Sequence, residues 1–421
     1  MRLSGVSQVA HAADSAVVHN RMIHSLKVAT LGRGLAVRLL TGKSGGFLEA
    51  IGGLDPDVVA AASLGHDLGH PPFGHVAEKE LDHLVRERLK QLSGFEGNAQ
   101  SFRVVTKLAV RKRELELRGL NLTRATLNAM LKYPYLREIT GKSSKKWGAY
   151  HTEEADFKFA REGSVPKRKS VEAEIMDFAD DIAYSTHDLE DYYRAGLIPL
   201  DRLFGDSREC DRFLEASFTK WKKDEPELKE ETYKAAFTAI LDAASFLGDN
   251  FAEPYTGTRR QRGAIRALAS TLIDRFFSGI ELCEANQDTD RFVLIKPETK
   301  REIRLLKELI WHYVIPNRSL AIQEEGQRRI IKTLFDTFFE GAKGEDGRVR
   351  DLIIRKELLA PRYRDQLDEL SQLNVGKEEQ EQERVRIVVD VIAEMSEFQA
   401  VQAYARLTGY AANSFLDFIQ R

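Results

Sequence analysis

Apolar positions recur at helical spacing along nearly the whole of this chain. Val28 to Leu40 keeps that spacing and runs into Gly42, a residue type that closes helices. Pro56 to Leu64 is a short apolar helix that ends at a His-Asp doublet. Val171 to Tyr193 is long, with carboxylates on one face and Ile175, Phe178, Ile182 and Leu189 available to another. Ile303 to Val314, Glu324 to Phe339 and Val385 to Tyr404 predict three more helices. Alternating strand patterns flanked by Asn-Gly or Asp-Gly turns are scarce, and no internal repeat stands out. The pattern predicts an all-α fold in a single unit over residues 1–421, with a helical catalytic core over roughly 1–200 and a helical C-terminal part over roughly 201–421. Gly, Pro and Arg residues between Gly248 and Gly263 mark a loop at that soft boundary. The charged run Gly376 to Arg384 reads as a solvated loop or a helix start.

Composition narrows the function classes. The chain has 421 residues, 43% hydrophobic and 30% charged, the balance of a globular protein able to bury a large core. A formal net charge of -2 gives no global attraction for nucleic acid, so any anion site must be local. Two cysteines, Cys210 and Cys283, exclude a disulfide scaffold and a cysteine-based zinc site, and fit a reducing compartment. Met1 to Ala13 lacks the apolar stretch of a signal peptide, and no apolar run approaches the ~18 residues of a membrane span. The expectation is a cytoplasmic protein with no membrane partner.

Candidate chemistry gathers in three separated segments. The first, Asn20 to Leu26, holds His24 with Arg21 one helical turn before it. The second, Ser63 to His75, is a turn dense in histidine: His66, Asp67, His70 and His75, with Glu78 three residues further on. Neighbours on a regular helix diverge by about 100°, so His66 and Asp67 share an ion only if it lies over the edge between them. His70, four residues on, is placed to share the His66 face. His75 and Glu78 suit an acid/base pair, the carboxylate orienting the imidazole and supporting its charged form. The third segment puts Asp180, Tyr184 and Asp188 on one helical stripe. Two imidazoles and two carboxylates, His24, His66, Asp67 and Asp180, suit a divalent cation that activates water and clamps phosphate oxygens. A guanidinium beside them suits phosphate. The dull alternatives are histidines capping backbone carbonyls, a solvated acidic helix face and a surface ion pair at Arg21.

These residues carry a resemblance. The order His…His-Asp…Asp is the signature of the HD phosphohydrolase superfamily. The chain is similar to its deoxyguanosinetriphosphate triphosphohydrolase-like branch in RLSGVSQV (2–9), HNRMIHSLKVATLGR (19–33), LGHDLGHPPFGHVAE (64–78), GFEGNAQSFR (94–103), LKYP (131–134) and ADDIAYSTHDLED (179–191). ELIWHYVI (308–315) and EEGQRRII (324–331) give a weaker echo. The resemblance implies an all-α HD-domain core with additional C-terminal helices, and a homo-oligomer, often a hexamer. It implies metal-dependent hydrolysis of a dNTP, dGTP or others, to deoxynucleoside and intact triphosphate. Carried over, it makes His24, His66, Asp67 and Asp180 ligands of Mn²⁺, Mg²⁺ or an iron-type ion. His75 resembles the catalytic histidine and Glu78 its partner. Arg21, His70, Lys132 and Tyr133 match positions that serve the phosphates. Tyr184 resembles the aromatic packed on the deoxyribose, Asp188 a residue near the 3′-hydroxyl, and Gln8 a glutamine near sugar and base. In two places the chain departs from the pattern. Relatives usually carry an Arg- and Asp-rich segment ahead of RLSGVSQV, and Glu394 and Ser396-Glu397 stand where Gly and Thr-Asp are more usual, which leaves base preference open.

Two other readings stand beside this one. One is an HD phosphohydrolase acting on nucleoside monophosphates or signalling nucleotides; Tyr184, Lys132 and the long carboxylate helix favour a deoxynucleoside triphosphate instead. The other is a non-catalytic sensor of nucleotides or nucleic acid. Its basis is the basic runs Lys142 to Lys146, Lys167 to Lys169 and Arg259 to Arg262, which could take an allosteric dNTP or single-stranded DNA by phosphate neutralisation. On a near-neutral chain such short runs are more often solvated faces.

Overall fold

The computed structural model describes residues 2–7, 19–89, 94–111, 119–137, 146–246, 251–284, 290–342, 359–372 and 376–410. Its N-terminal half runs through α1 (Arg21–Leu40), α2 (Gly45–Ala50), α3 (Pro56–Gly65), α4 (His75–Leu89), α5 (Gly97–Arg103), α6 (Arg124–Ala129), α7 (Glu154–Arg161) and α8 (Val171–Arg194). Then follow α9 (Leu200–Gly205), α10 (Ser207–Asp224), α11 (Glu230–Ser245) and α12 (Arg259–Phe277). A hairpin of β1 (Ile280–Leu282) and β2 (Val293–Ile295) pairs antiparallel, Glu281 opposite Leu294. The chain closes with α13 (Pro297–Tyr313), α14 (Arg318–Ala342), α15 (Pro361–Gln372), α16 (Lys377–Ala393) and α17 (Glu397–Leu407). The hairpin is the sole sheet among the described residues, so the fold is all-α.

Local chemistry sets the helix starts near the site. Asn20 caps α1 by accepting the Ile23 amide at 3.1 Å, and Asp55 caps α3 with Pro56 at its first position. Ser170 caps α8 through the Ala173 amide. The boundaries differ from the sequence expectation in two places, at Ser396 and at Gly263. The stretch Val385 to Tyr404 is two helices, because Ser396 forms a capping box with Gln399 and starts α17. The charged run after Gly376 is a helix start, one of its two expected readings, and forms the first turns of α16. Helix α12 begins at Arg259, so Gly263 lies within a helix and not in the loop expected there.

Among the described residues three large apolar clusters hold these helices, beside a small one of Ala99, Trp147 and Tyr150. In the largest, α1 and α3 pack on α8 through Val28, Leu35, Val59, Ile175 and Ile182, α12 and α13 also pack on α8, and α10 and α11 pack on α13. Each fully buried aliphatic side chain contributes about 1.5–3 kcal/mol. In the second, Leu81, Leu84 and Val85 of α4 meet Leu334 and Phe335 of α14 and Val388 of α16. The third, with Ala62, Phe102, Leu127, Met130 and Met176, supports the loop that follows α6. The three clusters leave the start of α1, the end of α3, the start of α4 and the middle of α8 facing one another.

Candidate metal and catalytic site

Helix α3 stops at Gly65, and His66 to Gly69 form a turn. His66 keeps helical backbone angles, φ -60° and ψ -33°, so it and Asp67 still diverge, while His70 lies beyond the turn instead of on a shared helical face. Glycine at 69 is required by packing, since a Cβ there would sit 2.1 Å from the Ser101 amide nitrogen. That closeness lets the Ser101 hydroxyl accept the Gly69 N–H at 2.8 Å and donate to the His66 carbonyl at 2.7 Å. Beyond the turn, Phe73 adopts a φ of 67°, a strained conformation for a non-glycine residue. Its ring is buried in the α4–α14–α16 cluster and its amide donates to Glu397. Arg2 donates to the carbonyls of Leu68 and His70 and to that of Ala393, binding the turn to the end of α16. The C-terminal helices thus hold the histidine turn in place.

The four ligand-type residues converge. His24 Nε2 lies 2.9 Å from Asp180 Oδ1, and His66 Nε2 lies 3.6 Å from both Asp67 Oδ1 and Asp180 Oδ1. Ligands about 2.0–2.2 Å from a shared cation are separated by roughly 3–3.6 Å at ordinary coordination angles. His66 Nδ1 donates to the Ser63 carbonyl at 2.6 Å, which leaves Nε2 with its lone pair toward the cluster. Burial opposes ionisation of Asp67, but Arg21, His66 and His70 outweigh it and hold the carboxyl well below its ordinary range. At Asp180 the same opposition from burial is overcome by Lys132, His24 and His66. Burial also works against a charged His66, yet Asp67 and Asp180 raise it to about 9. A divalent cation would take the place of that proton between two ionised carboxylates, so the residues fit a metal of hard-to-borderline character.

Cations and a second histidine pair surround this cluster. Arg21, at the start of α1, donates through Nη1 to Asp67 at 2.8 Å, while its Nε and Nη2 are buried without a hydrogen-bond partner. Lys132 bridges Asp180 at 2.8 Å and Asp177 at 2.7 Å. His70 Nδ1 sits 3.0 Å from Asp67 Oδ1 without hydrogen-bond geometry, and burial together with Arg21 lowers it to about 4. Its ring is 5.5 Å from that of His75. His75 is 58% exposed at the side chain, and its Nδ1 meets buried Glu78 Oε2 at 2.6 Å. The other Glu78 oxygen accepts from the Gly97 amide and from Lys146 at 2.7 Å.

The remaining candidates are placed less tightly. Asp188 is buried, its Oδ2 has no hydrogen-bond partner, and burial together with Asp191 pushes its carboxyl well up. Tyr184 is half-buried with Lys307 5.7 Å from its ring centre, and burial raises its hydroxyl pKa. Tyr133 is half-buried in the loop after α6, its ring edge-on to Tyr135. Gln8 lies outside the described residues. Sequence reasoning passed over Lys146, grouped with a surface basic run whose other members lie outside the described residues. It inserts between Glu78 and Glu96, 3.0 Å from the latter. Lys169, 2.5 Å from Asp177, and Lys307, 2.5 Å from Asp181, were likewise not singled out as site residues.

The chain is similar to known proteins. A family profile for the HD domain matches residues 21–185, and one for the phosphohydrolase-associated domain matches residues 293–406. A deoxyguanosinetriphosphate triphosphohydrolase-like protein of Corynebacterium efficiens is 33% identical over 94% of this chain and 85% of its own length. One of Streptomyces coelicolor is 32% identical over 97% and 89%. A deoxyguanosinetriphosphate triphosphohydrolase-like protein 2 of Vibrio cholerae is 29% identical over 99% and 87%. The chain belongs to the deoxyguanosinetriphosphate triphosphohydrolase-like family of HD-domain phosphohydrolases.

Proposed function

We propose that this protein hydrolyses deoxynucleoside triphosphates, dGTP among them, to deoxynucleoside and intact triphosphate. The carrying observation is the exposed imidazole of His75, backed by buried Glu78, beside a cluster of buried His24, His66 and Asp67 with half-buried Asp180, whose arginine keeps two donors unspent. A divalent cation, Mn²⁺, Mg²⁺ or iron-type, held by His24, His66, Asp67 and Asp180 would supply Lewis-acid neutralisation of the phosphate oxygens. Arg21 offers Nε and Nη2 to the same oxygens in a fork that fits phosphate. Lys132, His70 and Tyr133 bind along the phosphate chain. His75 exchanges a proton with the reacting centre at the α-phosphorus while Glu78 fixes its Nδ1 side, so proton transfer runs through Nε2. Tyr184 packs on the deoxyribose, and the unspent Oδ2 of Asp188 accepts from the 3′-hydroxyl. Gln8 serves sugar and base. On the same reading the working form is a cytoplasmic homo-oligomer, a hexamer.

Product analysis tests this. Purified protein with Mn²⁺ or Mg²⁺ and each dNTP in turn, resolved by ion exchange, should give deoxynucleoside and triphosphate, and the relative rates report base preference. Release of pyrophosphate or orthophosphate would keep a phosphohydrolase but reject this cleavage.

A further inference from the structure

A second group of metal-type donors stands beside the cluster of His24, His66, Asp67 and Asp180 and shares none of its residues. His70, His75 and Glu78 each offer one donor atom, and these atoms lie within 4.8 Å of one another. Two imidazoles and one carboxylate are the ligand set of open zinc sites, in which water takes the fourth place. His70 and Glu78 are buried, while His75 is open to solvent and gives an ion a way in. His70 Nδ1 faces Asp67 Oδ1 at 3.0 Å and has no hydrogen-bond partner. Its other nitrogen, Nε2, lies over Gly97, where an added Cβ would come within 3.0 Å of it. The Gly97 amide in turn donates to Glu78 Oε1, so this edge of His70 and the Glu78 carboxylate flank the start of α5. A carboxylate behind the far nitrogen is the usual support of a metal-bound histidine. Glu78 spends Oε1 on Gly97 and Lys146, and its Oε2 meets His75 Nδ1 at 2.6 Å. A metal takes the place of the proton that joins two such atoms. The exposed imidazole has room to open that contact to the roughly 3–3.6 Å between two ligands of one ion.

We propose that His70, His75 and Glu78 form a second metal site, selective for Zn²⁺, and that filling it inhibits the enzyme by withdrawing His75 from proton transfer. The two clusters sort cations by donor type. Two carboxylates with two imidazoles accept Mg²⁺ or Mn²⁺ as well as softer ions. A single carboxylate oxygen with two imidazoles offers Mg²⁺ too little oxygen and suits Zn²⁺. Lys146 on Glu78 and Arg21 on Asp67 put two positive charges close by, which hold the affinity below that of the four-ligand cluster. The second site therefore fills after the first, as Zn²⁺ rises. Metal binding here does not depend on the triphosphohydrolase reading; the inhibition rests on it, through the role that reading gives His75.

The test is equilibrium dialysis of the full-length protein against Zn²⁺ with Mg²⁺ in large excess, the bound zinc counted by atomic absorption. Wild type should take up two Zn²⁺ per chain. His24→Ala/Asp180→Ala removes two ligands of the first cluster, leaves Asp67 behind His70, and should keep one. Adding His75→Gln should weaken that remaining ion about 10²-fold or more, at least what loss of an outer-shell partner costs. Should the double variant fail to fold, His75→Gln alone, at a solvent-open position, should lower the wild-type count from two to one. A single Zn²⁺ in wild type with none in the double variant overturns the site, and so does a second ion indifferent to His75→Gln. In wild type with Mg²⁺ or Mn²⁺ in excess, dNTP turnover should fall in step with the second ion and return when zinc is chelated. Turnover lost with the first ion, or surviving the second, overturns the inhibition. A protein that binds the second Zn²⁺ through His75 but turns over no dNTP at any zinc level would end the proposed function and leave the metal site standing.

Discussion

Arg21 and Arg103 are both buried, at 3% and 7% exposure, and both meet a buried aspartate, yet they are satisfied very differently. Arg103 spends its whole guanidinium: Nε and Nη2 donate to Asp390 at 2.8–3.1 Å and Nη1 to Glu153 at 2.6 Å. Gln100 donates to the same Asp390 at 2.7 Å. Arg21 spends one nitrogen on Asp67 and leaves two buried and unpaired. A buried donor without a partner costs roughly 1–3 kcal/mol, a cost a fold keeps where a ligand relieves it. The Arg103 group fastens α5 to α16; the Arg21 group is an ion network with places left open.

The largest effect should come from breaking the closed network. Arg103→Met strands Asp390 and Glu153 as buried charges, which should lower stability by about 3–5 kcal/mol. Urea unfolding of the metal-loaded protein measures it, and a loss under 1 kcal/mol would mean that the two carboxylates find other partners. The open network should respond the opposite way. With a divalent cation supplied to balance Asp67, Arg21→Met should leave the unfolding midpoint nearly unchanged while turnover of dNTP falls about 10²–10³-fold. If stability falls as far as in Arg103→Met and turnover per folded molecule holds, Arg21 is a structural residue.

Glu78 belongs to both kinds at once. One oxygen is locked to Gly97 and Lys146, the other reaches an exposed imidazole. Glu78→Gln keeps the size but removes support for a charged His75. Turnover should fall about 10²-fold with KM little changed, the lower end of what general acid–base catalysis contributes. A variant that instead raises KM and spares kcat would place Glu78 in binding.

Much of the open site was legible in the sequence because its members sit inside short strings: Arg21 and His24 in one, His66 through Glu78 in another, Asp180 through Asp188 in a third. Helical spacing placed Asp180, Tyr184 and Asp188 on one face, and the core positions of α8, Ile175, Phe178, Ile182 and Leu189, are all buried. The turn at His66 and Asp67 was legible, but the packing that fixes it, Gly69 against Ser101 from α5, was not. The break between α16 and α17 hinged on a single cap at Ser396, easily overlooked in an apolar run. Lys146, Lys169 and Lys307 escaped for a different reason. A lysine in a charged stretch reads as solvated, and only tertiary placement sets each against a carboxylate. Arg103 likewise stood in a recognised string with nothing local to reveal a partner 287 residues away.

The smallest effect concerns the one carboxylate that the Glu78–Lys146 unit leaves short of positive charge. Glu96 is buried and shares Lys146 with Glu78. Glu78 has His75 and the Gly97 amide as well, and remains ionised well below the ordinary range despite its burial. Glu96 therefore takes the proton: burial, with Glu78 nearby and only partly offset by Lys146, lifts it to about 7 from 4.5. The folded state then holds a proton that the unfolded chain releases near 4.5, so this group favours folding below that pH. Its contribution is lost progressively as pH rises to about 7, an effect on the order of 1–3 kcal/mol. Glu96→Gln mimics the protonated form, and its amide oxygen can still cap α5 through the Asn98 and Ala99 amides. Histidines held low by burial, His70 and His187, change stability over part of the same range with the opposite sign, and they do so in both proteins. The difference between wild type and Glu96→Gln isolates Glu96: unfolding midpoints compared at pH 5 and pH 8 should favour the variant by more at the higher pH. Parallel profiles would mean that Lys146 balances both carboxylates and that Glu96 is ionised throughout.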